Sequence, residues 1–225
     1  MLPLLALLGC AASQPASQPH VDTVLIEDGL LRPTGRDDLA QQLYVAPNVD
    51  WARYDRILLD PVMIWRDEEE DEGGVSQIDM QYLADYFYDF LHATLAKRYE
   101  MVRMPGPGTF RVTVALVRAT ERSVAPDILS NVIPQARLLM RMSDLISDKP
   151  IFVGEAAVET RIVDAETGRL LVAGLDHRVG SRSLSSKSLR SWGHAEHIIE
   201  FWSARATYNL CTRQGRADCG PQPSP

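Results

Sequence analysis

The stretch from residue 152 to residue 179 constrains the fold most, because its pattern is that of a hairpin. Phe152 to Val163 alternates, Asp164-Ala165-Glu166-Thr167-Gly168 turns, and Arg169 to Val179 returns. An Asp that opens the turn and a Gly that closes it at positive φ suit a short antiparallel connection. Alternation with period two buries one face of such a pair, and that face needs another layer to cover it.

Two segments supply that layer. From Ser76 to Tyr99, Leu83, Phe87, Phe90, Leu91, Thr94 and Leu95 recur at three- and four-residue spacing, and Tyr82, Tyr86 and Tyr88 widen the face. Ser76 with Asp79 resembles a capping box, and Lys97 and Arg98 suit the C-terminal end of the helix dipole. A second helix runs from about Ser191 to Thr212, with Ala195, Ile198, Ile199, Trp202, Ala206 and Leu210 facing inward and Gly215 stopping it.

Arg56 to Trp65 is a nearly continuous apolar run, read as a strand covered on both faces and broken near Pro61. Phe110, Val112, Val114 and Leu116 alternate with Arg111, Thr113 and Ala115 and form a half-buried strand. Leu39 to Leu43 adds a helical turn, and Val21 to Leu31 reads as an irregular arm lying against the domain. Between Ala125 and Ile146, two short amphipathic helices join at Pro134. The order is β-α-β-(α)-β-β-α. This predicts an α+β class, a single two-layer domain whose mostly antiparallel or mixed sheet is packed by two main helices.

The chain begins with an apolar run, Leu2 to Leu8, that ends in Leu7-Leu8-Gly9-Cys10. Such a run is too short to span a bilayer and reads as a secretory signal. Leu-Leu-Gly-Cys resembles a bacterial lipobox, in which Cys10 is lipidated and becomes the mature N-terminus. No Lys or Arg precedes the run, so either the start lies upstream or the signal is truncated. The expected organisation is a signal peptide at 1–9, a tether at 10–27, an α+β domain at 28–215, and a disordered tail with the C-terminal Cys loop at 216–225. Ala11 and Ala12, with no Asp beside Cys10, resemble sorting to the outer membrane, so the domain would hang lipid-anchored on its periplasmic face.

The formal charge of −7 carries no clustered basic stripe. That argues against nucleic acid and leaves the lipid anchor as the contact with the membrane. Of three cysteines, Cys10 is taken by the anchor, and Cys211 and Cys219 are expected to pair in an oxidising compartment. The run Asp67 to Glu72 lacks the spaced oxygens and turn Gly of a calcium loop and reads as a solvated segment.

His194 and His197 share a helix face with Glu200 and are the weak metal candidates. They lack the spacing of a zincin or its inverse and read as exposed polar residues, so no metal and no cofactor is expected. No Gly-x-Ser-x-Gly elbow, Walker-A loop or Gly-x-Gly-x-x-Gly occurs, so nucleotide binding is not expected and no catalytic residue is assigned. A hydrolase would have to use Ser181 to Ser188 with His177 or His194.

Several stretches together resemble one family. These are Tyr44-Val45-Ala46-Pro47 with Trp51 and Tyr54, Leu58-Leu59-Asp60-Pro61-Val62, Val132-Ile133-Pro134, Phe152-Val153-Gly154-Glu155-Ala156, Asp164-Ala165-Glu166-Thr167-Gly168, and Ser191-Trp192-Gly193 with Phe201-Trp202, Leu210 and Cys211. The set is similar to DUF3313, a family of bacterial putative lipoproteins whose function is uncharacterised. The resemblance spans roughly residues 28–215, implies a lipoprotein, and brings no catalytic residues with it. The expected role is non-enzymatic binding of an envelope protein, peptidoglycan or a lipid. The partner surface would be Ile128, Leu129, Val132, Ile133, Leu138 and Leu139. The rival readings are a periplasmic serine hydrolase and a lipid carrier that uses Ile128–Ile146.

Overall fold

The computed structural model describes residues 14–15, 23–65, 77–117, 155–179 and 193–224. The fold is α+β, one mixed and mostly antiparallel sheet packed with two helices. Its strands are β1 (Gln14–Pro15), β2 (Arg32–Pro33), β3 (Gln42–Val45), β4 (Arg56–Leu59), β5 (Met63–Trp65), β6 (Glu100–Met101), β7 (Thr109–Val117), β8 (Glu155–Asp164) and β9 (Leu170–Val179). Among the described residues the α-helices are α1 (Gln77–Leu95) and α2 (Gly193–Arg213). The order across the sheet is β2-β3-β9-β8-β7-β4-β6, with β1 also on β9 and β5 also on β7.

The expected hairpin is the centre of this sheet. β8 and β9 run antiparallel with Val158 opposite Asp176 and Ile162 opposite Val172, and β8 continues antiparallel onto β7. Asp164 organises the turn: its Oδ1 accepts the N–H groups of Glu166 and Thr167 at 3.0 and 2.8 Å, and Gly168 sits at φ +73. The other side of β7 is parallel, to β4 and β5, because the chain crosses over through α1 before it returns.

The apolar run 56–65 breaks around Pro61, as its sequence indicates, but it is not covered on both faces. β4 alternates half-buried and buried, while Met63 and Trp65 on β5 remain 39% and 47% exposed. Leu59 pairs with Val112 and Met63 with Ala115, so Asp60-Pro61-Val62 carries one extra residue. This bulge admits a proline that has no N–H to give to the ladder. A second correction falls at 39–43. In place of a helical turn, the chain forms β3 and pairs with β9, Leu43 opposite Gly174. A Cβ at Gly174 would lie 3.4 Å from the Leu43 side chain, so a small residue there lets the arm approach.

The core lies between sheet and helices. Leu83, Ala84, Phe87, Leu91 and Leu95 form the buried stripe of α1, while Tyr82, at the margin of the expected face, is 45% exposed. On α2, Ala195, Ile198, Ile199, Trp202 and Leu210 are buried as anticipated, and the Phe87 and Trp202 rings stack at 6.1 Å. Gly215 ends this helix at φ +69. Cys211 and Cys219 form a disulfide, which folds part of the expected tail back onto α2.

The expected tether also meets the domain. Gln14–Pro15 pairs with Arg178–Val179, and Val24 and Leu25 give their N–H groups to the Glu159 carboxylate. The cause is chemical: Glu159 is fully buried, and these two backbone groups supply donors to a carboxylate removed from water.

Candidate functional site

Two features stand out under α2, a buried polar node and an apolar slot that runs away from it. The node is centred on Asp176 of β9. Its Oδ2 accepts Arg178 Nε at 3.0 Å, Arg205 Nη2 at 2.8 Å and Trp202 Nε1 at 2.6 Å, and its Oδ1 accepts the Gln41 N–H at 3.1 Å. One carboxylate therefore ties the central hairpin, α2 and the arm that leads into β3. The Arg178 and Arg205 guanidinium carbons lie 4.9 and 5.0 Å from the Phe201 ring centre. Two like charges thus share one aromatic ring and one counter-ion. Burial pulls the Arg205 pKa below its ordinary value, and Asp176 acts in the opposite direction.

The node also fastens a strap. Arg178 Nη2 donates to Asp37 O at 3.3 Å, Arg205 Nη1 to Leu39 O at 3.1 Å, and Asn209 Nδ2 to Asp38 O at 3.4 Å. Three consecutive carbonyls are held by side chains of β9 and α2. Residues 37–43 consequently lie along the edge of α2, where Leu39, Ala40 and Leu43 wall the slot.

The slot encloses about 100 Å³. Its floor is the helix-facing side of the sheet, including Val112, Val114, Val158, Ile162 and Val172, and its roof is Phe87, Leu91 and Leu95 of α1 with one face of α2. On α2 that face is Trp202, Arg205, Ala206, Asn209, Leu210 and Arg213. These recur at three- and four-residue intervals, so the slot follows the helix axis over the eleven steps from Trp202 to Arg213, about 16 Å at 1.5 Å per residue.

The two ends differ in charge. At the Trp202 end, Arg205 is paired with Asp176. At the far end, Arg213 is half-buried, its guanidinium carbon 5.9 Å from the Trp51 ring centre. Among the described residues no carboxylate and no hydrogen-bond acceptor partners it. Burial lowers its pKa from the ordinary arginine value, and among the described residues no neighbouring anion offsets the effect. Gln214, the next residue, donates Nε2 to Trp51 O and Tyr54 O and so fixes this end against the loop before β4.

Other polar contacts brace the frame. The Tyr54 hydroxyl donates to Asp164 Oδ2 at 2.7 Å; burial first, and that carboxylate second, push the Tyr54 pKa up to about 12. Burial alone would raise Asp164, yet the donors around it outweigh burial and its pKa lies below the ordinary value. Tyr82 donates to Glu196 and Tyr86 to Glu200 across the two helices, at 2.7 and 2.9 Å.

Of the metal candidates, His197 Nδ1 lies 4.0 Å from Glu200 Oε2. His194 falls on α2, with its side chain outside the described residues. No group of three or more His, Cys, Asp or Glu placed to hold a metal occurs among the described residues. Cys10, the acidic run 67–72, the surface Ile128, Leu129, Val132, Ile133, Leu138 and Leu139, and Ser181–Ser188 all lie outside them as well. His177 is buried on β9.

A profile described as "Protein of unknown function (DUF3313)" matches residues 23–206. The chain belongs to the DUF3313 family. The matched span of this DUF3313 chain contains the strap, the hairpin and α2 as far as Ala206, and so the whole Asp176 node. No curated protein matches it. Among solved structures, two of the PelC dodecamer from Paraburkholderia phytofirmans are similar. They show 11% and 10% identity and TM-scores of 0.37 and 0.36, each match covering 78% of this chain and 96% of the other. Among the described residues of this DUF3313 member, no helix is long and apolar enough to cross a membrane.

Sequence reading singled out none of Asp176, Arg178, Arg205 and Arg213. Two signals were present. Asp176-His177-Arg178 interrupts an apolar strand with three consecutive polar residues, and Arg205, Asn209 and Arg213 repeat every four positions along α2.

Proposed function

We propose that the protein is a bacterial envelope lipoprotein, anchored through Cys10 on the periplasmic face of the outer membrane, whose domain acts by binding rather than by making or breaking bonds. The observation that carries the binding reading is the slot, an apolar channel roofed by two helices and walled by a strap. Apolar pockets with a few placed polar groups are the usual form of small-ligand sites. This one replaces the surface around Ile128–Leu139 as the favoured site, and its apolar lining favours a lipid over an envelope protein or peptidoglycan as the partner. Leu7-Leu8-Gly9-Cys10 supports the anchor.

Each half has a direct test. In cells fed an alkyne-bearing fatty acid, the full chain should take up label and fractionate with the outer membrane, and Cys10→Ser should lose the label. Label retained by Cys10→Ser overturns the anchor. The full chain should also raise the fluorescence of an apolar dye such as 1-aminoanthracene, and Ala206→Phe, which projects a ring into the slot, should abolish the rise. Unchanged dye binding by a folded Ala206→Phe protein overturns the slot.

A further inference from the structure

We infer that the slot takes a single unbranched acyl chain with a carboxylate head, and that Arg213 holds the head. This inference rests on the slot being the binding site and adds what enters it, and which way round.

The dimensions argue for one slim chain. About 16 Å of helix borders a space of only about 100 Å³. Pockets for drug-sized ligands measure roughly 300–1,000 Å³. A second acyl chain beside the first would exceed this narrow space, whereas a single chain follows the channel along α2.

The charges argue for an anion, at one end only. Asp176 already meets Arg205 at the Trp202 end, so a head group placed there would compete with an ion pair that is already made. At the other end, Arg213 has its cation beside Trp51 and no counter-ion among the described residues. A guanidinium that has given up part of its hydration gains most from an acceptor that takes two of its N–H groups at once, and a carboxylate matches that fork. Trp51 limits the directions the guanidinium can adopt and keeps it pre-oriented. The chain would enter tail first, its methyl end toward Trp202 and its carboxylate at the half-buried Arg213, within reach of solvent.

The test compares dodecanoate, 1-dodecanol, dodecyltrimethylammonium and dodecyl phosphate as competitors for 1-aminoanthracene on the full chain carrying Cys10→Ser. Dodecanoate should compete best. Arg213→Gln should weaken it by about tenfold or more, as expected for losing hydrogen bonds to a charged group, and should leave dodecanol within about twofold. Arg213→Lys keeps the charge without the fork and should fall between. It also serves as the readout if Arg213→Gln does not fold. Equal competition by dodecanoate and dodecanol, or an unchanged dodecanoate affinity in both variants, overturns the role of Arg213 while leaving the slot standing. Tighter competition by dodecyl phosphate overturns the carboxylate in favour of a phosphate head. If none of the four competes and the dye itself does not bind, the slot reading fails, and this inference with it.

Discussion

Replacing Asp176 by Asn tests whether the buried node, rather than the apolar contacts alone, joins the strap to the domain. The side chain is 2% exposed, as is its environment: Arg178 is 1% and Arg205 8% exposed. Asn has nearly the same shape, so no cavity opens. It has one acceptor oxygen in place of two, and no charge. If its oxygen takes the place of Oδ2, its amide faces the Gln41 N–H, donor against donor. Two guanidinium groups on the Phe201 ring then lose their common counter-ion. Breaking a buried ion pair by removing one partner costs about 3–5 kcal/mol. Arg178 and Arg205 each keep one bond to a strap carbonyl, which sets the expectation near the middle of that range, at about 4 kcal/mol.

In urea, an m-value of about 2 kcal/mol/M converts this into a midpoint lower by about 2 M, with m unchanged. The melting temperature should fall by roughly 8–16 °C, at 2–4 °C per kcal/mol for a domain of this size. Asp60→Asn is the control. Asp60 accepts from Arg111 and Thr113 at the margin of the sheet, with Arg111 53% exposed, and its loss should cost about 1 kcal/mol or less. A cycle of Asp176→Asn with Arg205→Met should be strongly non-additive, because the second change removes a charge that the first leaves unpaired. A loss from Asp176→Asn no larger than that of the control would refute the reasoning, as would strict additivity in the cycle.

Two further outcomes follow from the ends of the chain. Cys219→Ser opens a loop of eight-residue separation and should cost about 2–3 kcal/mol, or roughly 5–10 °C, in a thermal melt; a change below about 1 kcal/mol would mean that Arg98 and Asp218 already hold the tail. At Glu159, burial raises the pKa, and the Leu25 and Val24 N–H groups oppose it only in part. The native state therefore takes up this proton before the unfolded chain does, and stability gained from it appears as pH falls from the raised value to the ordinary carboxylate value of about 4.3. Chemical denaturation of the wild type and Glu159→Gln at several pH values should show their difference shifting toward the wild type on acidification. A difference that stays level or shifts the other way would contradict the assignment.

The fold was legible wherever one periodicity ran unbroken and faced one environment. Asp164 to Gly168 carries its turn chemistry in its own side chains, and the apolar stripes of both helices meet the sheet without interruption. Reading failed where partnership across the chain decides the outcome. Leu39–Leu43 has too few residues to show a period, and its last two residues open β3 because the edge of β9 and the small Gly174 are waiting for them. The run 56–65 looks doubly buried because Val62, Met63, Ile64 and Trp65 are all apolar, but β4 and β5 lie near one side of the sheet, where burial on both faces is not assured. Glu159 looks like any solvent-facing residue of an alternating strand. Its burial depends on an arm more than 130 residues away in sequence.

The site was harder to see for a related reason. Helical periodicity separates a core face from the rest, and it treats a polar stripe as water-facing. Arg205, Asn209 and Arg213 form such a stripe, yet the first two turn to the strap carbonyls and the third to Trp51. The apolar stripe of the same helix, Trp202, Ala206 and Leu210, lies directly beside them. The slot lies where the two stripes meet, walled by the strap that the polar one holds. Latching and binding are therefore coupled: loosening the strap at Asp176 should widen the slot and weaken its preference for a slim chain, while Arg213, which holds no part of the strap, can be changed without releasing it. A branched-chain competitor that gains on Asp176→Asn but not on Arg213→Gln would express that difference directly, and equal behaviour in the two variants would deny it.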